Sequence, residues 1–356
     1  MASVIPLSNL TEILSRLSDF VYVITGNEGE KVFNTHVHGY SINYRPSPHV
    51  LPRIVAYIAL QTKIINRVIR ANEKIDLCVI FMGDGLLIPM LCCKLMRKPV
   101  MLILASSSEK ILEKNRDLLS RLAVFMEKEN YKFADRIVVY SSKLIEEWGL
   151  VQYRHKILVA PNHYLDFDMF KTSTQLAKRD NLVGYIGRLS EEKGIINFID
   201  SIPIILKNED KINFLIGGDG ALKNDIEKKI SMHNLSKNVK LEGWISHDDL
   251  PLYFNKLKLL VIPSYTEGLP NVMLEAMACG TPVLAAPVGA ITDFIKDGET
   301  GFIMENNSPD CLAENVLRAI RHPHLGGIGS NGRRLVEREF TFENAVKKFK
   351  EIFDTL

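Results

Sequence analysis

The tightest constraint on this chain is an alternation kept up along its length: short, β-rich apolar runs separated by stretches of helical periodicity. In the first half the strand candidates lie at 20–25, 77–81, 100–104, 136–140 and 156–160. In the second they lie at 182–186, 213–216, 239–241, 259–262 and 282–285, with amphipathic stretches such as 52–70 and 118–133 between strands. Strand–helix alternation predicts parallel sheets. Each right-handed crossover returns the chain across the sheet and lays a helix on one of its faces. The fold class is therefore α/β.

A chain of 356 residues exceeds one ordinary domain. The alternation breaks at 162–181, where an interdomain loop runs into a polar stretch before a new strand begins. Two doubly wound, Rossmann-like domains facing a central cleft are the expected architecture, with ligands at the carboxyl ends of the strands. The 44 basic and 42 acidic side chains nearly cancel, which argues against nucleic-acid binding through overall charge. Cys78, Cys92, Cys93, Cys279 and Cys311 have apolar neighbours and no metal-ligand spacing, so a reducing, cytoplasmic setting is expected. No basic, apolar leader opens the sequence, and its apolar runs are too short to cross a bilayer.

From Gly268 to Thr292 the only charged side chain is Glu275. Pro270 suits a first helical turn and Gly280 a C-cap, so 271–279 reads as a short, buried helix. A buried carboxylate is unfavourable by several kcal/mol unless it is paired or hydrogen-bonded. Glu275 therefore either meets an arginine or backbone amides in the core, or accepts hydrogen bonds from a ligand diol. Eight positions earlier, Glu267 follows the strand at 259–262 in a loop that leads into the helix start. Free amides and the positive helix end make such a loop a phosphate site. A carboxylate there would repel phosphate, so it suits hydroxyls or a developing positive charge. The alternative is an ordinary solvated loop glutamate.

The stretch from Glu267 through Gly-Leu-Pro-Asn-Val-Met-Leu to Glu275, continuing Ala-Met-Ala-Cys-Gly-Thr-Pro-Val, resembles the E-x7-E signature of the group 1 retaining glycosyltransferases. The resemblance implies a GT-B fold, with Glu267 at the donor sugar and Glu275 on the nucleotide ribose. Upstream, Gly-Arg-Leu-Ser-Glu-Glu-Lys-Gly at 187–194 follows a strand and resembles the family's Gly-Arg-Leu-x-x-Glu-Lys-Gly motif. It implies Arg188 and Lys193 as the cations that neutralise a leaving diphosphate in place of a metal. Without the resemblance, both cations could simply balance Glu191 and Glu192 on the surface. Further matches imply donor contacts at Gly187, Gly268, Leu269, Asn271, Val272, Gly218, Trp244 and Ile245. Trp244 reads equally well as core packing. Asp166-Phe-Asp168 looks like a metal–diphosphate motif, but it occupies the family's interdomain loop and is assigned to the linker.

The resemblance divides the chain into an acceptor-side domain over 1–163, a nucleotide-sugar domain over 169–340, and a last helix over 342–356 returning to the first. The opening differs from the family: 3–6 is either a very short first strand or that strand is absent, and a helical pattern follows at 10–17. Where the family places a histidine after the strand at 100–104, this chain has serines, so Ser106 and Ser107 are the acceptor-side candidates. His36, His38 and His49 are alternative polar groups. The implied activity is sugar transfer, with retention, from a UDP- or GDP-sugar to a glycan or lipid-linked acceptor, without metal or other cofactor. A binding-only partner subunit and a nucleotide-sugar epimerase are the alternatives. Residues 51–100 hold eight basic and three acidic side chains. The apolar face of 52–70 (Ile54, Ile58, Ile65, Ile69) either packs on the sheet or meets the cytoplasmic face of a membrane.

Overall fold

The computed structural model describes residues 4–26, 37–44, 49–82, 85–105 and 118–356. Two compact units emerge: Met1–Tyr164 together with Phe342–Leu356, and Leu165–Thr341. In the first, Val4–Leu17 is a helix, so Val4–Pro6 do not form a short strand. Pro6 falls in the first turn, where the missing N–H removes no helical bond. Leu10 and Ile13 bury the inner face, and Leu14 packs on a small cluster of Val21, Val23 and Val37. The C-terminal helix Phe342–Phe353 packs on this opening helix. Asn162 Nδ2 donates to the Pro6 carbonyl at 2.7 Å, and Tyr164 donates to Glu12.

Strand β1 (Val21–Gly26) pairs in parallel with β2 (Val37–Ile42), a strand the sequence pattern did not announce. A separate four-stranded parallel sheet runs in the order β3 (Cys78–Phe81), β4 (Val100–Ile103), β5 (Arg136–Val139), β6 (Ile157–Val159). β4 is wholly apolar and buried, as expected of a central strand covered on both faces.

The second unit is built on one six-stranded parallel sheet: β7 (Leu182–Ile186), β8 (Asn213–Gly217), β9 (Val239–Gly243), β10 (Leu259–Ile262), β11 (Val283–Ala285) and β12 (Phe302–Ile303). Their order across the sheet is β12-β11-β10-β7-β8-β9. Successive connections therefore run outward in opposite directions from β7 and β10. The crevice between the carboxyl ends of those two neighbours is the topological switch point, where open α/β sheets bind ligands. Phe198, Phe214 and Phe302 belong to the core that holds the sheet and its helices.

A candidate nucleotide-sugar site at the switch point

Two loops meet at the switch point. The loop after β7 carries Gly187, Arg188 and Lys193, and ends at Gly194 with φ +66°, ahead of helix Ile195–Asn208. The loop after β10 carries Ser264, Glu267 and Gly268, ahead of helix Asn271–Ala278. Gly194 allows them to touch: a Cβ there would lie 1.9 Å from the Pro263 carbonyl oxygen, besides straining a left-handed backbone. Polar bonds then lock the contact. Tyr265 N donates to the Glu192 carbonyl at 2.9 Å, Asn197 Nδ2 donates to Tyr265 Oη at 2.7 Å, and Asn307 Nδ2 donates to the Pro263 carbonyl at 2.7 Å.

Lys193 and Glu267 face one another across this junction. Lys193 Nζ donates to Glu267 Oε1 at 2.6 Å, and Ser264 Oγ donates to the same oxygen at 2.6 Å. The adjacent ammonium offsets the charge of the carboxylate in this loop. Lys193 is 24% exposed, whereas Arg188 is 64% exposed and lies 3.5 Å from Glu192. Arg188 is thus anchored by its backbone, where Tyr185 Oη donates to its carbonyl at 2.6 Å, while its guanidinium reaches into solvent. Burial holds the Tyr185 phenol above its ordinary range, so it remains a donor.

Glu275 lies on helix Asn271–Ala278 and is 4% exposed. Its partner is neither an arginine nor backbone but His247, whose Nε2 is 3.1 Å from Glu275 Oε1. The hydrogen bond to Glu275 raises the His247 pKa above its ordinary value, outweighing the opposing effect of burial. Phe170 meets the imidazole edge-on at 5.3 Å and fixes its plane. The helix itself is held at its carbonyl end by two guanidiniums. Arg179 Nη2 donates to the Cys279 carbonyl at 2.8 Å and Arg333 Nη1 to that of Ala278 at 2.7 Å. Cations at that end also suit the helix dipole. Burial brings the Arg179 pKa down to about 10, leaving it charged at neutral pH.

The other candidate donor residues occupy the same strand ends. Leu269 is buried, Asn271 and Val272 are half-buried, and the Gly268 carbonyl accepts from Ala290 N at 2.8 Å. The amides of Asn271 and Val272 begin the helix and have no earlier helical carbonyl to bond. Gly187 N donates to the Gly217 carbonyl at 3.0 Å and Gly218 N to that of Gly243 at 2.6 Å. A Cβ at Gly218, where φ is +136°, would lie 1.8 Å from the Gly187 carbonyl oxygen. Ile245 packs against Gly217, while Trp244 is 58% exposed and so is not core packing. From β9 across β8 and β7 to β10 these groups line about 14 Å of sheet edge, three strand spacings. Asp166 Oδ1 accepts from the amides of Asp168 and Met169 as a turn cap. Ser106, Ser107 and His36 lie outside the described residues.

Two contributors escaped the sequence reading. Ser264, three residues before Glu267, carries no signal of its own as a lone loop serine and meets the carboxylate only in the fold. His247 had no local signal at all, since it lies 28 residues from Glu275 and meets it only through the fold.

The arrangement defines a class: a GT-B fold with cationic and carboxylate side chains at the switch point of its second unit. The crystal structure of Anabaena HepE in complex with UDP and glucose matches with a TM-score of 0.78 and 20% identity. The match covers 99% of this chain and 96% of that one. Residues 166–334 match the family described as "Glycosyl transferases group 1", and this unit is a group 1 glycosyl transferase domain. An uncharacterized glycosyltransferase of Methanocaldococcus jannaschii is 33% identical over 173 residues, covering 48% of this chain and 47% of that protein. A Campylobacter jejuni relative is 26% identical over 249 residues, 69% of this chain and 65% of that protein. Its name describes an α-1,4-N-acetyl-D-galactosaminyltransferase acting on a diphospho-undecaprenol-linked glycan. The chain spans about half the length of the first curated relatives it matches.

Proposed function

We propose that this protein transfers a sugar, with retention of anomeric configuration, from a UDP- or GDP-sugar to a hydroxyl of a glycan or lipid-linked acceptor. The observation that carries the reading is the Lys193–Glu267 pair, closed at 2.6 Å across the switch point of the sheet. The UDP and glucose in the HepE structure and the lipid-linked substrate in the Campylobacter relative's name support the choice of donor and acceptor.

In this scheme Glu275 accepts hydrogen bonds from the ribose diol. Arg188, Lys193 and the amides of Asn271 and Val272 face the diphosphate, and Glu267 orients the sugar. The bond between the anomeric carbon and the diphosphate oxygen breaks, the acceptor oxygen takes its place, and the acceptor's proton is released. Negative charge grows on the leaving diphosphate, and preorganised cations and amides aimed at such charge are usually the largest catalytic contribution. Two side-chain cations take the place that a metal holds in other schemes. Incubating the purified chain with UDP- and GDP-sugars and measuring free nucleoside diphosphate tests the proposal. Release from one of them, at least by slow hydrolysis, is expected. Tight nucleotide-sugar binding with no release would assign the chain to a binding-only partner subunit.

A further inference from the structure

The first unit leaves an apolar, cationic surface with no covering element among the described residues. Helix Leu87–Leu95 packs between helix Val50–Ala71 and helix Leu118–Phe133. The right-handed crossovers from β3 to β4 and from β4 to β5 put the two later helices on one side of the four-stranded sheet. Each of the three helices exposes large hydrophobic side chains. Val55, Ile58 and Ile69 stand out from the first, so the sequence-predicted apolar face of 52–70 is only partly turned inward. From the second, Ile88 stands out, and Leu95 is 86% exposed. On the third, Leu122, Phe125 and Phe133 follow a helical stripe, with Phe125 55% exposed. Isolated exposed hydrophobics are ordinary, but a set of them across one helix layer marks an interaction surface.

The charges around this set select the occupant. The three helices carry eight Lys and Arg against two Glu, and Val50–Ala71 and Leu87–Leu95 have no acidic residue. Of the two glutamates, Glu127 is buried and receives the Tyr131 hydroxyl, and Glu129 is paired with Lys132 at 2.6 Å. Lys63, Arg70, Arg121 and Lys128 are exposed beside the apolar residues. An aqueous protein partner would have to supply a matching acidic and apolar face. An anionic bilayer supplies both at once, headgroups for the cations and acyl chains for Leu and Phe. No helix among the described residues is long and apolar enough to cross a membrane, so the contact must lie on the surface.

We infer that the helix layer formed by Val50–Ala71, Leu87–Leu95 and Leu118–Phe133 docks on anionic lipid headgroups, with Leu95 and Phe125 inserted below them. This inference does not rest on sugar transfer, and its test needs no activity. The full chain is co-sedimented with phosphatidylcholine vesicles and with vesicles rich in phosphatidylglycerol, at low and high salt. Binding to the anionic vesicles alone, weakened by salt, is expected. Lys63→Ala and Arg70→Ala should each lower the partition about fivefold, the equivalent of about 1 kcal/mol per surface cation. Leu95→Glu should lower it strongly, with thermal unfolding unchanged because that side chain is 86% exposed, and adding Phe125→Glu should abolish it. Equal or negligible binding to both vesicle types would overturn the inference, as would variants that bind like the parent. Self-association that Leu95→Glu disrupts, with no vesicle uptake, would overturn it too, by assigning the face to a second copy of the chain.

Discussion

Glu267 and Glu275 belong to one short motif, yet the fold gives them partners of different kinds. Glu267, in the loop after β10, is held by a lysine and a serine hydroxyl. Glu275, within the following helix, is held by an imidazole. Two donors at 2.6 Å hold the first carboxylate, whereas the second depends on one imidazole, the side chain whose ordinary titration falls in the neutral range. A histidine titrates there, so the grip on the second depends on pH. The loop carboxylate thus sits in a fixed electrostatic frame suited to chemistry, and the helix carboxylate in an adjustable one suited to binding.

Lys193→Ala strikes the fixed frame and should have the largest effect. Loss of one preorganised stabiliser of developing charge commonly lowers turnover by about 10²–10³. The same change leaves Glu267 with Ser264 alone, so thermal unfolding should show a stability loss of about 1–3 kcal/mol. Arg188→Ala is the sharper test of the scheme, because Arg188 is solvent-facing and its 3.5 Å contact with Glu192 contributes little to stability. Turnover should still fall more than threefold, while stability changes by less than about 0.5 kcal/mol. A smaller kinetic loss would make Arg188 a surface charge.

The adjustable frame predicts a smaller effect. Because the folded-state pKa of His247 is raised, its stabilisation is fully present below about pH 6.5 and is lost as pH rises through the folded value. Unfolding midpoints followed upward from pH 6 should therefore show a stability decline that His247→Gln removes. A profile identical in the variant would mean that the pair carries no linked proton. Last, excess chelator should leave turnover unchanged. Abolition with rescue by magnesium or manganese would bring Asp166 and Asp168 back into the mechanism, against their turn-capping geometry.

The strands were equally legible in both units, five of the six described in each, whereas the site residues were legible mainly in the second. Most strands of the second unit are buried apolar runs with glycine-bearing turns, and its site residues lie in local motifs where spacing is informative. All five strands read from its pattern appear, and the shortest, β12, with two residues, was missed because so brief a run has no period. In the first unit, Val37–Ile42 forms β2 although His38, Gly39 and Ser41 dilute its pattern, and its pairing with β1 shows only in three dimensions. The opening residues read ambiguously because Pro6 suits either a strand edge or a first helical turn. The burial of Leu10 and Ile13 settled the choice. His247 illustrates the general limit: a long-range partner of a buried carboxylate leaves no spacing to find.

The central claim is that Glu275 is kept buried and hydrogen-bonded by His247 in order to hold a nucleotide. Glu275→Gln separates that from a structural role, because the amide can still accept a hydrogen bond from His247 but carries no charge. Calorimetric titration with UDP and GDP, together with unfolding midpoints on the same preparations, makes the measurement. The account predicts that one nucleotide binds the parent protein and that the variant binds it about tenfold or more weakly, from the loss of a charge-assisted bond, with an intact fold. A lowered midpoint with unchanged affinity per folded molecule would contradict it.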